Sequence, residues 1–321
     1  MTDVTTDPVT YDALLIVSFG GPEGHDEVMP FLKNVVGDRV PEARLKVVAE
    51  HYHHFGGVSP INALTIDLID RLKTALDEHG PALPVYWGNR FWRPHLVDTV
   101  RQMRDHGVRR AVALATSALP SASGCRRYLE DIETARAAID GAPIIDKIRP
   151  FSRREGYVET CTERLRDALA EIDDPDAMVF FTAHSIPVAM SATCDYEADL
   201  EALTTEVATR LGLGTDRHRI VFQSRSGPPH QPWLEPDVLD AIDERPEGSS
   251  LVIAPFGFIA DHMEVVWDLD VEARARAEAR GIRMVRAGTV GSHPRFVRLL
   301  RDLVAERVAR GPDPCPPGCC S

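Results

Sequence analysis

Short apolar or β-rich runs recur along the chain at 13–19, 85–87, 111–116 and 144–148, with helix-length stretches between them. A run without polar alternation marks a strand covered on both faces, the usual state of a parallel sheet. The series then begins again, at 177–183, 220–224, 251–256 and 284–287. Strand and helix in alternation predict parallel sheets joined by right-handed crossovers. Two such sets predict an α/β protein of two similar Rossmann-like doubly wound domains, each with a sheet of about four strands flanked by helices. Arg149-Pro150-Phe151-Ser152 interrupts the pattern before a helix that begins near Glu155, which sets the expected domains at 10–150 and 151–310. A last helix, 294–310, can pack on either domain, and residues 311–321 form a cysteine-containing tail. The cleft between the domains is the expected site.

The 321 residues are 44% hydrophobic, enough to bury a large core. A formal net charge of −13 argues against nucleic acid or an anionic lipid surface as the main partner. No run approaches the roughly 20 apolar residues of a membrane span, and residues 1–7 lack the basic and apolar parts of a signal peptide. A cytoplasmic enzyme with no integral membrane association is the expectation.

Two segments carry candidate chemistry. After the run 251–256, an α-helix over 259–272 would place Asp261, Glu264, Asp268 and Glu272 within an arc of roughly 80° and along about 16 Å of axis. Like charges at i,i+4 repel, so such a stripe needs water or a cation beside it. A divalent metal is one candidate. Asp261 also fits the first position of a capping box with Glu264, and the rest could be a solvated face. The second segment is His184, directly after the run 177–183, where site residues of open α/β sheets gather. A histidine there can take a proton or ligate a metal near neutral pH, or cap the next turn.

The two segments belong to a set. Phe181-Thr-Ala-His-Ser-Ile-Pro187 and Phe258-Ile-Ala-Asp-His-Met-Glu264, together with Ser18-Phe-Gly-Gly-Pro-Glu23 and Gly56-Gly-Val-Ser-Pro-Ile61, closely resemble the ferrochelatases over nearly the whole chain and in the family's order. The resemblance implies the two-domain chelatase fold and insertion of Fe(II), a substrate, into a porphyrin during haem biosynthesis. It implies that His184 and Glu264 face each other across the macrocycle, with Asp268 and Glu272 as a path for metal or protons and Asp261 and His262 in support. It makes Ser59 a contact for a porphyrin propionate and Phe151 and Ser152 porphyrin-facing residues. Some relatives carry a tyrosine able to reach the metal at the place of Phe19; phenylalanine cannot ligate, which leaves Phe19 as an apolar floor. Near this loop, His51, Tyr52, His53 and His54 do not share one helix face, so propionate contacts are expected of some of them rather than a metal site.

The acidic, soluble character and the tail cysteines are most similar to actinobacterial members acting on coproporphyrin III, giving coproheme. Protoporphyrin IX, another tetrapyrrole chelatase, and a haem- or metal-binding carrier are the alternatives. Transient contact with neighbouring haem-pathway enzymes is a further expectation. Of six cysteines, Cys315, Cys319 and Cys320 crowd the tail, which in a reducing compartment suggests a metal centre completed by one more ligand, zinc or iron–sulfur. Several ferrochelatases hold a [2Fe–2S] cluster with tail cysteines and one from the helix opening the second domain. That resemblance implies Cys161, Cys315, Cys319 and Cys320 as ligands, with Cys125 or Cys194 able to replace one.

Overall fold

The computed structural model describes residues 9–37, 40–228 and 230–315. In the first half, β1 (Ala13–Ser18), β2 (Val85–Asn89), β3 (Arg110–Ala115) and β4 (Ile144–Lys147) form a parallel sheet in the order β2-β1-β3-β4. In the second, β5 (Met178–His184), β6 (His218–Gln223), β7 (Ser250–Ala254) and β8 (Arg283–Arg286) repeat that order as β6-β5-β7-β8, again all parallel. All eight runs read from the sequence are strands. β1 and β7 are buried at every position, as unbroken apolar runs require.

Between β1 and β2 the described residues form three α-helices, α1 (His25–Val36), α2 (Glu42–His54) and α3 (Ile61–His79). α4 (Leu96–Asp105) and α5 (Arg127–Ala137) complete the first half, and α6 (Glu155–Ile172) opens the second. There follow α7 (Val188–Ser191), α8 (Tyr196–Arg210), α9 (Val238–Asp243), α10 (Met263–Val265), α11 (Arg274–Ala279) and α12 (Pro294–Arg310). α12 takes both of its open choices, packing on α3 of the first half and on α6 of the second. Its start is set by Pro294, whose missing N–H costs nothing at a first helical position, and by the His293 ring, which accepts from the Arg295 N–H. The largest apolar cluster accordingly runs through both halves, from Leu14, Ile16 and Leu114 through Tyr157 and Phe296 to Phe181 and Val252.

In each sheet the strand order reverses beside the first strand, β1 or β5, and the crevice beyond the carboxyl ends at such a reversal is where ligands bind. The loop after β7 reaches that crevice by crossing the end of β5. Gly257 makes the crossing: its N–H donates to the Thr182 carbonyl at 3.0 Å, and a Cβ there would lie 2.4 Å from the Ala183 Cβ. Replacing Gly257 by Ala must push the loop off β5, so a loss of about 1–3 kcal/mol is expected. Calorimetry should show a lower Tm for this variant, and an unchanged Tm would show that the crossing is not tight.

Candidate active site

The carboxyl ends of β1, β3, β5 and β7 meet around a cavity of about 510 Å³, within the range of ligand sites. Both halves line it. The first supplies Phe19, Phe31, Tyr52 and Ser59, with hydroxyls from Ser117, Ser121 and Ser123; the second supplies His184, Met190, Phe258, His262 and Glu264. Gly21 lets the loop after β1 close on this wall, since a Cβ there would lie 2.6 Å from that of Ser59. Phe19 stands in ring contact with Phe91 and Phe31 at 4.6 and 6.2 Å, part of an apolar surface.

His184 ends β5 and Glu264 lies in α10, and their side chains meet with Nε2 3.6 Å from Oε2. The pair is not split across the cavity as expected. A separation of 3.6 Å leaves no room for a macrocycle between them, so both groups address the same face of any ring bound here. The imidazole is oriented twice over: Nδ1 lies 2.5 Å from the Ser185 carbonyl, to which it donates, and the Tyr196 hydroxyl donates to the His184 carbonyl at 2.8 Å. Nε2 is thereby aimed at Glu264. Desolvation by the cleft walls would lower the His184 pKa, but Glu264 and the Ser185 carbonyl outweigh it and raise the pKa to about 8. Desolvation likewise acts to raise Glu264, and the His184 charge reverses this, holding the carboxyl down at about 2. The side chains are 31% and 51% exposed, but that exposure is toward the cavity they line. Near pH 7 the pair is imidazolium and carboxylate.

Glu264 begins a carboxylate line whose local structure differs from the expected α-helix. Residues 259–262 are not helical, and after the single turn of α10 the segment Val266–Ala273 is a π-helix. π-Helical turns are rare and recur at functional sites. Asp268, one step along, is raised to about 7, first by desolvation and then by the charges of Glu264 and Glu272, against hydrogen bonds from Ser224 and Gln223. Ser224 Oγ donates to Asp268 from a left-handed backbone, φ 64°. Gln223 binds three partners: its Nε2 donates to the Glu264 carbonyl at 3.0 Å and to Asp268 Oδ2 at 3.3 Å, while Oε1 accepts from Thr182 at 2.8 Å. Farther out, Glu272 acts on His51, whose ring stacks on Trp267 at 4.0 Å.

The remaining expectations divide. His262 lines the cavity next to the pair, its pKa lowered by burial despite the nearby Glu264. Ser59 also lines it. Asp261 is no member of the line: it precedes the helix and binds Arg286 at 3.0 Å. Phe151 packs in the core against Tyr157 and Phe296 rather than facing the cavity, because the chain turns inward there to start α6. Ser152 is buried and donates to Asp199 at 2.9 Å. Of the histidine-rich segment, Tyr52 lines the cavity, its phenol pushed up by burial and by Glu264, whereas His53 pairs with His25 at 2.8 Å and His54 packs on Trp267. From the sequence, Tyr52 is expected only as one of four possible propionate contacts and Gln223 and Ser224 only as part of a cleft-shaping motif at the carboxyl end of β6, while Tyr196 carries no site role.

Cys319 and Cys320 lie outside the described residues. Cys161 is wholly buried in the core, and burial pushes its thiol up, away from the thiolate that ligates iron. Arg295, at the start of α12, binds Glu159 and Glu163 on either side of Cys161, while Asp313 sits beyond the end of α12 against Arg307 and Arg149. Arg295 and Arg307 are roughly 18 Å apart along the helix axis, so Cys161 lies by the start of α12 whereas Cys315 follows its end. Among the described residues no three His, Cys, Asp or Glu side chains are placed to hold a metal ion, and they do not assemble the expected cluster site.

The family model described as Ferrochelatase matches residues 11–308. A protein named Ferrochelatase from Rhodopirellula baltica is 47% identical over 97% of this chain and 93% of its own length. Proteins named Coproporphyrin III ferrochelatase from Mycobacterium avium and Streptomyces coelicolor are 47% and 44% identical, over 96% and 98% of this chain and 94% of each relative. In fold, the chain is similar to the sirohydrochlorin chelatase SirB from Bacillus subtilis, with a TM-score of 0.55 at 13% identity over 94% of this chain and 97% of that one. With two like parallel sheets facing one cleft and these relatives over nearly its whole length, the chain belongs to the ferrochelatase family.

Proposed function

We propose that this chain inserts Fe(II) into a porphyrin in haem biosynthesis, with coproporphyrin III as the favoured substrate and coproheme as the product. The observation that carries the reading is the His184–Glu264 pair set in a cavity wall at the head of a carboxylate line. The reaction needs two pyrrole N–H protons to leave and the ion to shed water. Hard carboxylate oxygens such as those of Glu272 and Asp268 can hold Fe(II) weakly and release it inward. An acid with a pKa near the working pH relays protons best, which suits Asp268 at about 7. His184 and Glu264 then serve as the acceptor and ligand nearest the ring. Coproporphyrin carries four propionates, and the hydroxyl-rich wall of Ser59, Ser117, Ser121 and Ser123 supports that preference, as do the names of the actinobacterial relatives. No helix among the described residues is long and apolar enough to cross a membrane; a cytoplasmic location and transient contacts with neighbouring haem-pathway enzymes belong to the proposal.

Anaerobic incubation with Fe(II) and either porphyrin, followed by absorbance, should give faster metallation of coproporphyrin III than of protoporphyrin IX. His184→Ala and Glu264→Gln should each abolish turnover while porphyrin fluorescence still reports binding, whereas a carrier would show no turnover even unmodified. Retained turnover in both variants rejects the assignment.

The pH dependence has a definite sign. His184 must lose its proton to act as base or ligand, so kcat/KM should rise with pH through about 8. Glu264 raises that pKa; in any Glu264→Gln activity that remains, or in a direct NMR titration of the ring, the transition should move to lower pH. An unmoved or higher transition would show that the pair is not coupled.

A [2Fe–2S] centre is proposed on the tail spacing and the family resemblance alone. Cys161 is its candidate ligand on the body of the protein, and the tail would have to fold back along α6 to reach it. Acid-labile sulfide in anaerobically purified protein, lost in Cys161→Ala, is expected; its absence from the unmodified protein refutes the cluster.

A further inference from the structure

Between residues 261 and 272 the chain places five carboxylates, Asp261, Glu264, Asp268, Asp270 and Glu272, and the proposed metal path uses three of them. Arg286, at the end of β8, takes the other two. Its Nε and Nη2 donate to the two oxygens of Asp270 at 2.7 and 2.8 Å, and its Nη1 donates to Asp261 at 3.0 Å. Its side chain is only 14% exposed, so this is a bidentate, largely desolvated contact rather than a surface pair. The two anchored residues bracket the irregular stretch. Asp261 lies just before the helix starts, and Asp270 lies within the π-helix, between Asp268 and Glu272 in sequence.

We propose that Arg286 is a positioning residue for metal delivery, a clamp that pins both ends of the stretch carrying Glu264 and Asp268 and draws Asp261 and Asp270 away from the path. One cation on β8 does two things. It fixes where the π-helix sits on the sheet, and with it the direction in which Asp268 faces Gln223 and Ser224. It also neutralises the two carboxylates that would otherwise compete for the incoming ion or repel their neighbours. A lysine offers one compact charge and cannot span two oxygens of Asp270 while reaching Asp261. The inference rests on the proposed role of the carboxylate line.

The test compares Arg286→Gln, Arg286→Lys and Asp270→Asn with the unmodified full chain, measuring KM for Fe(II) anaerobically, kcat, and porphyrin affinity by fluorescence. Loss of a partner that orients metal-handling side chains commonly weakens metal affinity on the order of 10–100-fold. The expected result is a rise of that size in KM for Fe(II) in Arg286→Gln, a smaller one in Arg286→Lys and a rise in Asp270→Asn, with porphyrin affinity unchanged. Unchanged KM in Arg286→Gln, or metal and porphyrin binding lost in parallel, overturns the clamp. If Arg286→Gln fails to fold, Asp270→Asn decides, because it takes the charge out of the bidentate contact while Arg286 keeps Asp261 as its anionic partner. Asp268→Asn separates the two ideas: if it too leaves KM for Fe(II) unchanged, the path reading falls, whereas a raised KM there with a normal one in Arg286→Gln removes the clamp alone.

Discussion

A carboxylate stays ionised between apolar walls only if a cation stands beside it, and for Glu264 that cation is His184. The contact depends on features from distant parts of the chain. β5 must end at the cleft with the imidazole turned by the Ser185 carbonyl, and Tyr196 must hold the backbone there. The loop after β7 must cross β5 closely enough to bring Glu264 within reach, which only a residue without a side chain permits at 257. The repeated sheet order makes the encounter geometrically natural. β5 and β7 are neighbours, so groups leaving their carboxyl ends start a few ångströms apart.

Beyond that pair, the carboxylates differ because their neighbours differ. Glu264 has a cation in contact. Asp268 has only hydroxyl and amide donors, and it is flanked by two anions, so burial dominates and its proton is held to about neutral pH. Glu272 is the last in sequence, and its charge acts on His51, whose ring stacks on Trp267. Two chemically alike carboxyls thus hold their protons very differently, Glu264 weakly and Asp268 up to about neutral pH. Ser224 acts on Asp268 from a strained backbone position, which persists at functional sites because the surroundings enforce it.

The fold was legible because its signal is redundant. Eight strands announce themselves as short apolar or β-rich runs, of which β1 and β7 are buried at every position, and Pro294 and the Arg149–Ser152 break mark helix α12 and the passage into α6. His184 and Glu264 were legible as strand-end residues within family motifs. Their placement on one face was not, because sequence spacing says nothing of the angle at which a loop such as 255–262 returns. The α-helical stripe failed at Asp261 for a related reason: its partner Arg286 lies 25 residues away, and periodicity cannot register a long-range ion pair that pulls a residue out of the helix. Phe151 was misplaced because its porphyrin-facing role was carried over from the family resemblance, and Tyr157 and Phe296 claim it for the core.

One-sided placement constrains the proposed chemistry. Among the described residues lining the cavity, the first half contributes no His, Asp or Glu; its polar groups are hydroxyls and Arg90, which is engaged by Asp131. Every strong proton acceptor therefore comes from the second half, and so does the carboxylate line. Under the proposed roles, the ion and the departing protons would use the same side of the macrocycle, because two charges of one sign cannot occupy the His184–Glu264 position together. Proton departure and metal arrival would then be an exchange at one place. In that proposal Fe(II) arriving beside Glu264 would favour loss of the His184 proton, and Asp268 would be the nearby group whose proton affinity suits it to carry that proton away.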